Sequence, residues 1–213
     1  LDRTFEALLL DMDGTLLSSV AAVERSWTRL AGEVGVPVPD FSTVHGVPAH
    51  ALIDTMLADR PADERRAARA RIDELELADV DGVEPLPGAA ELLAALVPAG
   101  RCVIVTSSST PLARARLAAV GLPVPLLVTA DDVARGKPAP DPYLAGAALL
   151  GADPADCLAV EDARAGLESA AAAGATTLGL TTTHPDVRAD VVVPDLSWVV
   201  ATTGPEGVRV RRV

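Results

Sequence analysis

Leu8-Leu9-Leu10-Asp11-Met12-Asp13-Gly14-Thr15-Leu16 is the stretch from which the rest of the chain can be read. An apolar run, Ala7 to Leu10, stops abruptly at two carboxylates spaced i, i+2. Read as a buried strand, the run carries Asp11 at its C-terminal tip. In extended backbone, residues i and i+2 point to the same side. Gly14 then allows the chain to turn sharply away. Two acids on one side of a strand end repel each other unless positive charge sits between them. A divalent cation with hard oxygen ligands answers that need. A solvated acidic turn is the plain alternative for D-x-D taken alone.

Working outward, a helical pattern follows at once. Val23, Ser26, Trp27, Leu30, Ala31 and Val34 fall on one face of a helix. The pattern stops near Gly35, with Pro37 and Pro39 beyond it. Further helices are predicted over Ala49 to Ala58 and Ala62 to Ala78. In the last of these, Arg65, Arg66, Arg69 and Arg71 alternate with acids and read as a solvated face. Residues 18–84 are therefore all-helical in this reading. The composition changes at Glu84-Pro85-Leu86-Pro87-Gly88, a linker. Beyond it, strands (Cys102 to Val105, Leu126 to Val128, Cys157 to Val160, Thr176 to Leu180, Val191 to Val193) alternate with helices. Those helices run from Ala89 to Val97, Pro111 to Ala119, Asp141 to Leu150 and Ala163 to Ala173. In the third, Asp141-Pro142 is expected to cap and start the helix. Such alternation predicts an α/β fold, a parallel sheet covered by helices on both faces. The helical block interrupts it directly after the first strand. The expected organisation is an α/β core from residues 1–17 and 85–213, with a small all-α cap, residues 18–84, inserted into it. The tail, Gly204 to Val213, carries no readable signal.

Bulk properties narrow the function. Hydrophobic residues make up 49% of 213 positions, enough for a core, but aromatics are only 2%, so that core is aliphatic. A net charge of −12 argues against nucleic acid or an anionic membrane as the main partner. Cys102 and Cys157 each sit in an apolar run and read as free buried thiols. No signal peptide is evident, and no apolar run approaches the roughly 18 residues of a membrane span. A cytoplasmic enzyme is the expectation.

Three more candidates lie at or just after strand ends, where open parallel sheets bind ligands. Thr106-Ser107-Ser108-Ser109 offers hydroxyls and backbone N–H groups that can hold a phosphate, or simply a helix N-cap at Ser109 or Thr110. Lys137, the only lysine, stands in Gly136-Lys137-Pro138-Ala139-Pro140-Asp141, a stiff loop. Its ammonium could offset a carboxylate and a phosphoryl group. Glu161-Asp162 repeats the acids-at-a-strand-end pattern of Asp11; a metal shared by the two strand ends would explain both. Asp162 as a helix N-cap is the structural alternative.

In this order, D-x-D-G-T-L, then Thr106, then Lys137 in K-P-x-P-D, then Glu161-Asp162, the chain resembles the haloacid dehalogenase superfamily. The cap position is similar to the subfamily of sugar- and glycerol-phosphate phosphatases and β-phosphoglucomutase. The resemblance runs from Leu8 to about Val193. It implies Asp11 as the nucleophile and Asp13 as the acid and base. It also implies Mg²⁺ on Asp11, Asp162 and the backbone carbonyl of Asp13, with Glu161 beside the metal. Thr106, Ser107 and Gly14 would hold phosphoryl oxygens, and Lys137 would pair with Asp11 and the phosphate. The implied activity is hydrolysis of a small sugar or polyol phosphate through an aspartyl-phosphate. A phosphomutase is the alternative. The mutase of this subfamily carries a cap His where this chain has Val23, and an Arg where it has Ala49. His45-Gly46 is similar instead to the phosphatases, and Ser19, Trp27, His45 and Gly46 are expected to face the substrate. A haloalkanoate dehalogenase would lack Asp13. A receiver domain would be about half this length. A dinucleotide oxidoreductase would need a G-x-G-x-x-G that is absent. The expected partner is a small phosphorylated metabolite, and the expected state a monomer or weak dimer.

Overall fold

The computed structural model describes residues 2–41, 49–124 and 126–213. Its main sheet has six parallel strands in the order β6-β5-β2-β7-β8-β9. These are β2 (Ala7–Leu10), β5 (Cys102–Val105), β6 (Leu126–Val128), β7 (Cys157–Glu161), β8 (Thr176–Leu180) and β9 (Val191–Val193). Period-2 alternation splits the central strands cleanly. Leu8, Leu10, Ile104, Leu158 and Val160 face one aliphatic layer. Ala7, Leu9, Val103, Val105 and Ala159 face the other. Helices α4 (Ala89–Leu96) and α5 (Thr110–Ala119) cover the first layer. Helices α6 (Asp141–Leu150) and α7 (Arg164–Ala172) cover the second. The chain builds β2, β5 and β6 in one direction, then returns to β7 on the other side of β2. That reversal opens a crevice at the carboxyl end of β2, the usual ligand position in such sheets.

Between β2 and β5 lie α1 (Val20–Val34), α2 (Ala49–Met56) and α3 (Ala62–Ala78). They pack on one another around Trp27, Leu30, Leu52, Ile53, Ile72 and Leu75, an apolar cluster of their own. The chain enters this block through β3 (Leu17–Ser18) and leaves through β4 (Glu84–Pro85), and these two strands pair antiparallel. The arginines of α3 are not a simple solvated face. Arg65 and Arg69 both reach Asp54 on α2, and Arg71 reaches Glu33 on α1, so they tie the three helices together. At α6 the expected capping by Asp141 is not made. Pro140 is the N-cap, and the Asp141 carboxylate pairs with Arg135 instead.

The tail differs from its sequence reading. β10 (Val199–Gly204) and β11 (Gly207–Arg212) form a hairpin, and β11 pairs antiparallel with β1 (Asp2–Phe5). Val208 and Val210 are fully buried and join Phe5 in the first aliphatic layer, while Arg209 and Arg211 between and beyond them point outward. The free buried thiols are as expected, and burial pushes Cys102 up to about 12 and Cys157 to about 11. Among the described residues no helix is long and apolar enough to cross a membrane.

Candidate active site

Every strand that borders the crevice delivers a polar side chain to it. Asp11 follows β2, Thr106 follows β5, and Glu161 and Asp162 end and follow β7. All four are buried. Gly14 has φ +86°, and a Cβ there would lie 2.1 Å from Oδ2 of Asp162. Only glycine lets the turn after Asp13 come this close to the second acid.

Lys137 occupies the centre. Its Nζ donates to Asp11 Oδ1 at 2.7 Å, to the carbonyl of Val105 at 2.8 Å and to Glu161 Oε1 at 2.5 Å. All three ammonium protons are thereby used. Burial alone would push this lysine down, but Asp11 and Glu161 beside it hold it above its ordinary value. Tyr143, the only tyrosine, donates its hydroxyl to the same Glu161 oxygen at 2.7 Å. A Cβ on Gly166 would lie 1.8 Å from the Glu161 carboxylate, so α7 packs directly on that side chain. Glu161 is therefore the best-fixed acid of the site, braced from three directions.

Asp11, Glu161 and Asp162 bring carboxylate oxygens within 4.8 Å of one another. One lysine cannot neutralise three buried acids. Burial, then the charge of Glu161, raises Asp11 well above the usual carboxylate range. The same two causes push Asp162 up to about 7. Uncompensated negative charge on hard oxygen donors is what a small divalent cation binds, so the donor set fits Mg²⁺. Glu161 fits least well as a direct ligand, because Lys137 and Tyr143 already share one of its oxygens. Asp162 is not the N-cap of α7; that position is Ala163, and the Asp162 carboxylate accepts from Thr15 at 3.4 Å.

Asp13 stands apart from the buried acids. Its Oδ1 accepts from Ser19 at 2.7 Å and from Arg116 Nη1 at 3.0 Å, and its Oδ2 accepts from Ser108 at 3.2 Å. Ser19 thus faces Asp13. Thr106 Oγ1 accepts from the backbone N–H of Ser108 at 3.1 Å, which shapes the turn, and Ser107 is exposed at its rim. Ser109 is the N-cap of α5 but makes no capping hydrogen bond with its side chain.

These groups line a cavity of about 230 Å³. The helical block contributes Val20, Val23, Trp27, Leu52, Asp73 and Glu76 to its far wall. Trp27 is buried, and its indole N–H donates to Glu76 at 3.0 Å. His45 and Gly46 lie outside the described residues. Arg116, Glu76 and Tyr143 were not singled out from the sequence, and Ser108 was read only as part of the Thr106-Ser107-Ser108-Ser109 turn. Arg116 had a signal: it falls at i+4 from Leu112, on the buried face of α5 with Ala113 and Leu117. A charged residue on an apolar face needs a partner, and this one has two.

Comparisons with known proteins point to one family. The model of the haloacid dehalogenase-like hydrolase family matches residues 5–174. Hexitol phosphatase A of Escherichia coli (strain K12) is 39% identical over 208 residues, 95% of this chain and 96% of that protein. Validoxylamine A 7'-phosphate phosphatase of Streptomyces hygroscopicus subsp. limoneus is 36% identical over 92% of this chain and 96% of its own length. Among solved structures, a hydrolase from Pseudomonas syringae superposes with a TM-score of 0.78 at 26% identity, covering 90% of this chain and 94% of its own.

Proposed function

The chain belongs to the haloacid dehalogenase-like hydrolases, and from that premise we propose that it is a Mg²⁺-dependent phosphatase of a small sugar or polyol monophosphate. The carrying observation is Lys137 held between Asp11 and Glu161, with Asp162 close by, in a cavity sized for a small metabolite. The names of the two relatives, both phosphatases, support the substrate class.

Asp11 attacks phosphorus, the P–O ester bond breaks, and the electron pair leaves on the alcohol oxygen. Asp13 gives that oxygen its proton. It then takes a proton from the water that opens the aspartyl-phosphate, releasing inorganic phosphate and restoring Asp11. Lys137 fixes the Asp11 carboxylate and offsets charge where carboxylate and phosphoryl oxygens meet. Thr106, Ser107 and the Gly14 turn receive phosphoryl oxygens. Asp11, Asp162 and the backbone carbonyl of Asp13 would hold Mg²⁺, which when bound offsets the charge between two anions. Glu161 holds Lys137, and through it Asp11, in position.

Residues 18–84 act as the cap over a core of residues 1–17 and 85–213, and the paired strands β3 and β4 form its two crossings. Water must be kept out during attack and let in for hydrolysis, so the cap opens and closes. Ser19 and Trp27 belong to the closed site. A cytoplasmic monomer or weak dimer completes the reading.

A mutase would clamp a second phosphate. Among the described residues lining the cavity, the cations are Lys137 and Arg116, both from the core, and Arg116 is already engaged by two carboxylates. Ala49 offers no charge. Hydrolysis is favoured accordingly.

A panel of sugar, polyol and nucleotide monophosphates assayed with Mg²⁺ tests the proposal. Free phosphate should appear, and exhaustive EDTA should abolish it. Asp11→Asn should fold normally and lose well over about a hundredfold in kcat, the scale of removing a covalent nucleophile. Full turnover after EDTA treatment would overturn the metal assignment. Retention of more than about a hundredth of kcat in Asp11→Asn would overturn the covalent mechanism.

A further inference from the structure

Arg116 lies on α5 of the core, is only 4% exposed, and divides its guanidinium between two acids from different parts of the chain. Nη1 donates to Asp13 Oδ1 at 3.0 Å and to Ser108 Oγ at 3.3 Å. Nη2 donates to Glu76 Oε2 at 3.2 Å. Glu76 is on α3 of the helical block, and its other oxygen is fixed by the Trp27 indole at 3.0 Å. Nε of Arg116 is buried with no hydrogen-bond partner among the described residues. One planar group therefore connects the acid and base of the reaction to a carboxylate that arrives only with the helical block.

We propose that Arg116 is a positioning residue that couples seating of the cap to the orientation of Asp13, with Glu76 as the cap's half of the contact. The inference rests on the phosphatase reading above. A guanidinium is rigid and planar, so fixing one nitrogen fixes the direction of the others. With Glu76 holding Nη2, only Nη1 faces Asp13, and the contact is a single hydrogen bond. Without Glu76, Arg116 is free to pair with Asp13 through two parallel N–H groups, the geometry a carboxylate prefers. That fork would hold the carboxylate away from a leaving oxygen. Seating of the cap thus breaks a fork and leaves Asp13 steered by Ser19, Ser108 and one arm of Arg116. Proton delivery becomes efficient only when the cap has closed the cavity.

The test uses the leaving group. An alkyl phosphate leaves as a strongly basic alkoxide and needs the proton from Asp13; p-nitrophenyl phosphate leaves as a stabilised phenolate and does not. Glu76→Gln, Arg116→Gln, Arg116→Lys and the Glu76→Gln/Arg116→Gln double variant are compared in full-length protein with Mg²⁺. In Glu76→Gln and Arg116→Gln, kcat/KM on the best alkyl phosphate should fall by about ten- to a hundredfold, the cost of misplacing a proton-transfer group. On p-nitrophenyl phosphate it should change by less than about threefold, a small part of that same effect. The double variant should be no worse than the poorer single, because both act through one contact. Arg116→Lys, which keeps the charge but not the plane, should recover only part of the loss. Equal losses on both phosphates, or additive losses in the double variant, would overturn the proposal. Failure of the wild-type protein to hydrolyse any phosphate would instead remove the phosphatase reading itself.

Discussion

Lys137 is the residue on which the buried charge of the site depends. Its ammonium lies against Asp11 and Glu161, and all three side chains are almost wholly out of solvent. Removing one partner from such a cluster leaves like charges facing each other in low dielectric. Lys137→Met should therefore destabilise the metal-free protein by about 3–5 kcal/mol at neutral pH. Urea denaturation at pH 7.5 measures this, and a loss under about 1 kcal/mol, the range of an exposed pair, would mean that the acids simply take up protons. The lysine itself was legible in the sequence, since it is the only one and sits between glycine and prolines. Its company was legible only in part. Strand ends announce Asp11, Glu161 and Asp162, because an acid after an apolar run has nowhere else to point. Tyr143 and Arg116 come from helix faces more than a strand away, and no local spacing connects them to Glu161 or Asp13.

At the scale of elements, period-2 and period-3.6 patterns marked every strand of the parallel sheet and the helices around it. What they did not mark was the sheet at the other end of the molecule. β11 reads Gly-Val-Arg-Val-Arg-Arg, an alternation that needs a partner strand to be recognised as half buried, and its partners are a distant segment, β1, and the other arm of its hairpin, β10. The alternation makes a sharp prediction. Val210→Asp places a carboxylate in the aliphatic layer beside Phe5 and should cost several kcal/mol, the scale of burying an unpaired polar or charged group. Arg211→Ser, one residue along and facing solvent, should stay within about 0.5 kcal/mol. Melting temperatures compare them directly, and similar values would mean that the register is wrong by one residue.

Across the whole molecule, the acids left without cations make stability depend on pH in an unusual direction. Burial raises Asp162 to about 7 in the folded chain, against an ordinary value of 3.8. Between those values the folded state binds more protons than the unfolded one, so stability falls as pH rises. The contribution is intact below the ordinary value and is lost as pH approaches the raised one. In EDTA, the melting temperature should therefore decline from about pH 5 to about pH 7. Saturating Mg²⁺ should reverse the trend, since it binds the deprotonated acids. At about a hundred times its dissociation constant it adds roughly 2.7 kcal/mol. A Mg²⁺ shift as large at pH 5 as at pH 7.5 would argue against these acids as its ligands. The two tryptophans have a separate consequence. Trp27 is enclosed and hydrogen-bonded to Glu76, whereas Trp198 is half exposed with Arg212 over its ring. One indole emits from a dry, polar-tethered setting and the other from a wet one, so their fluorescence separates by wavelength. The unmodified chain thereby carries a built-in optical gauge of whether its helices are seated, with its own internal reference.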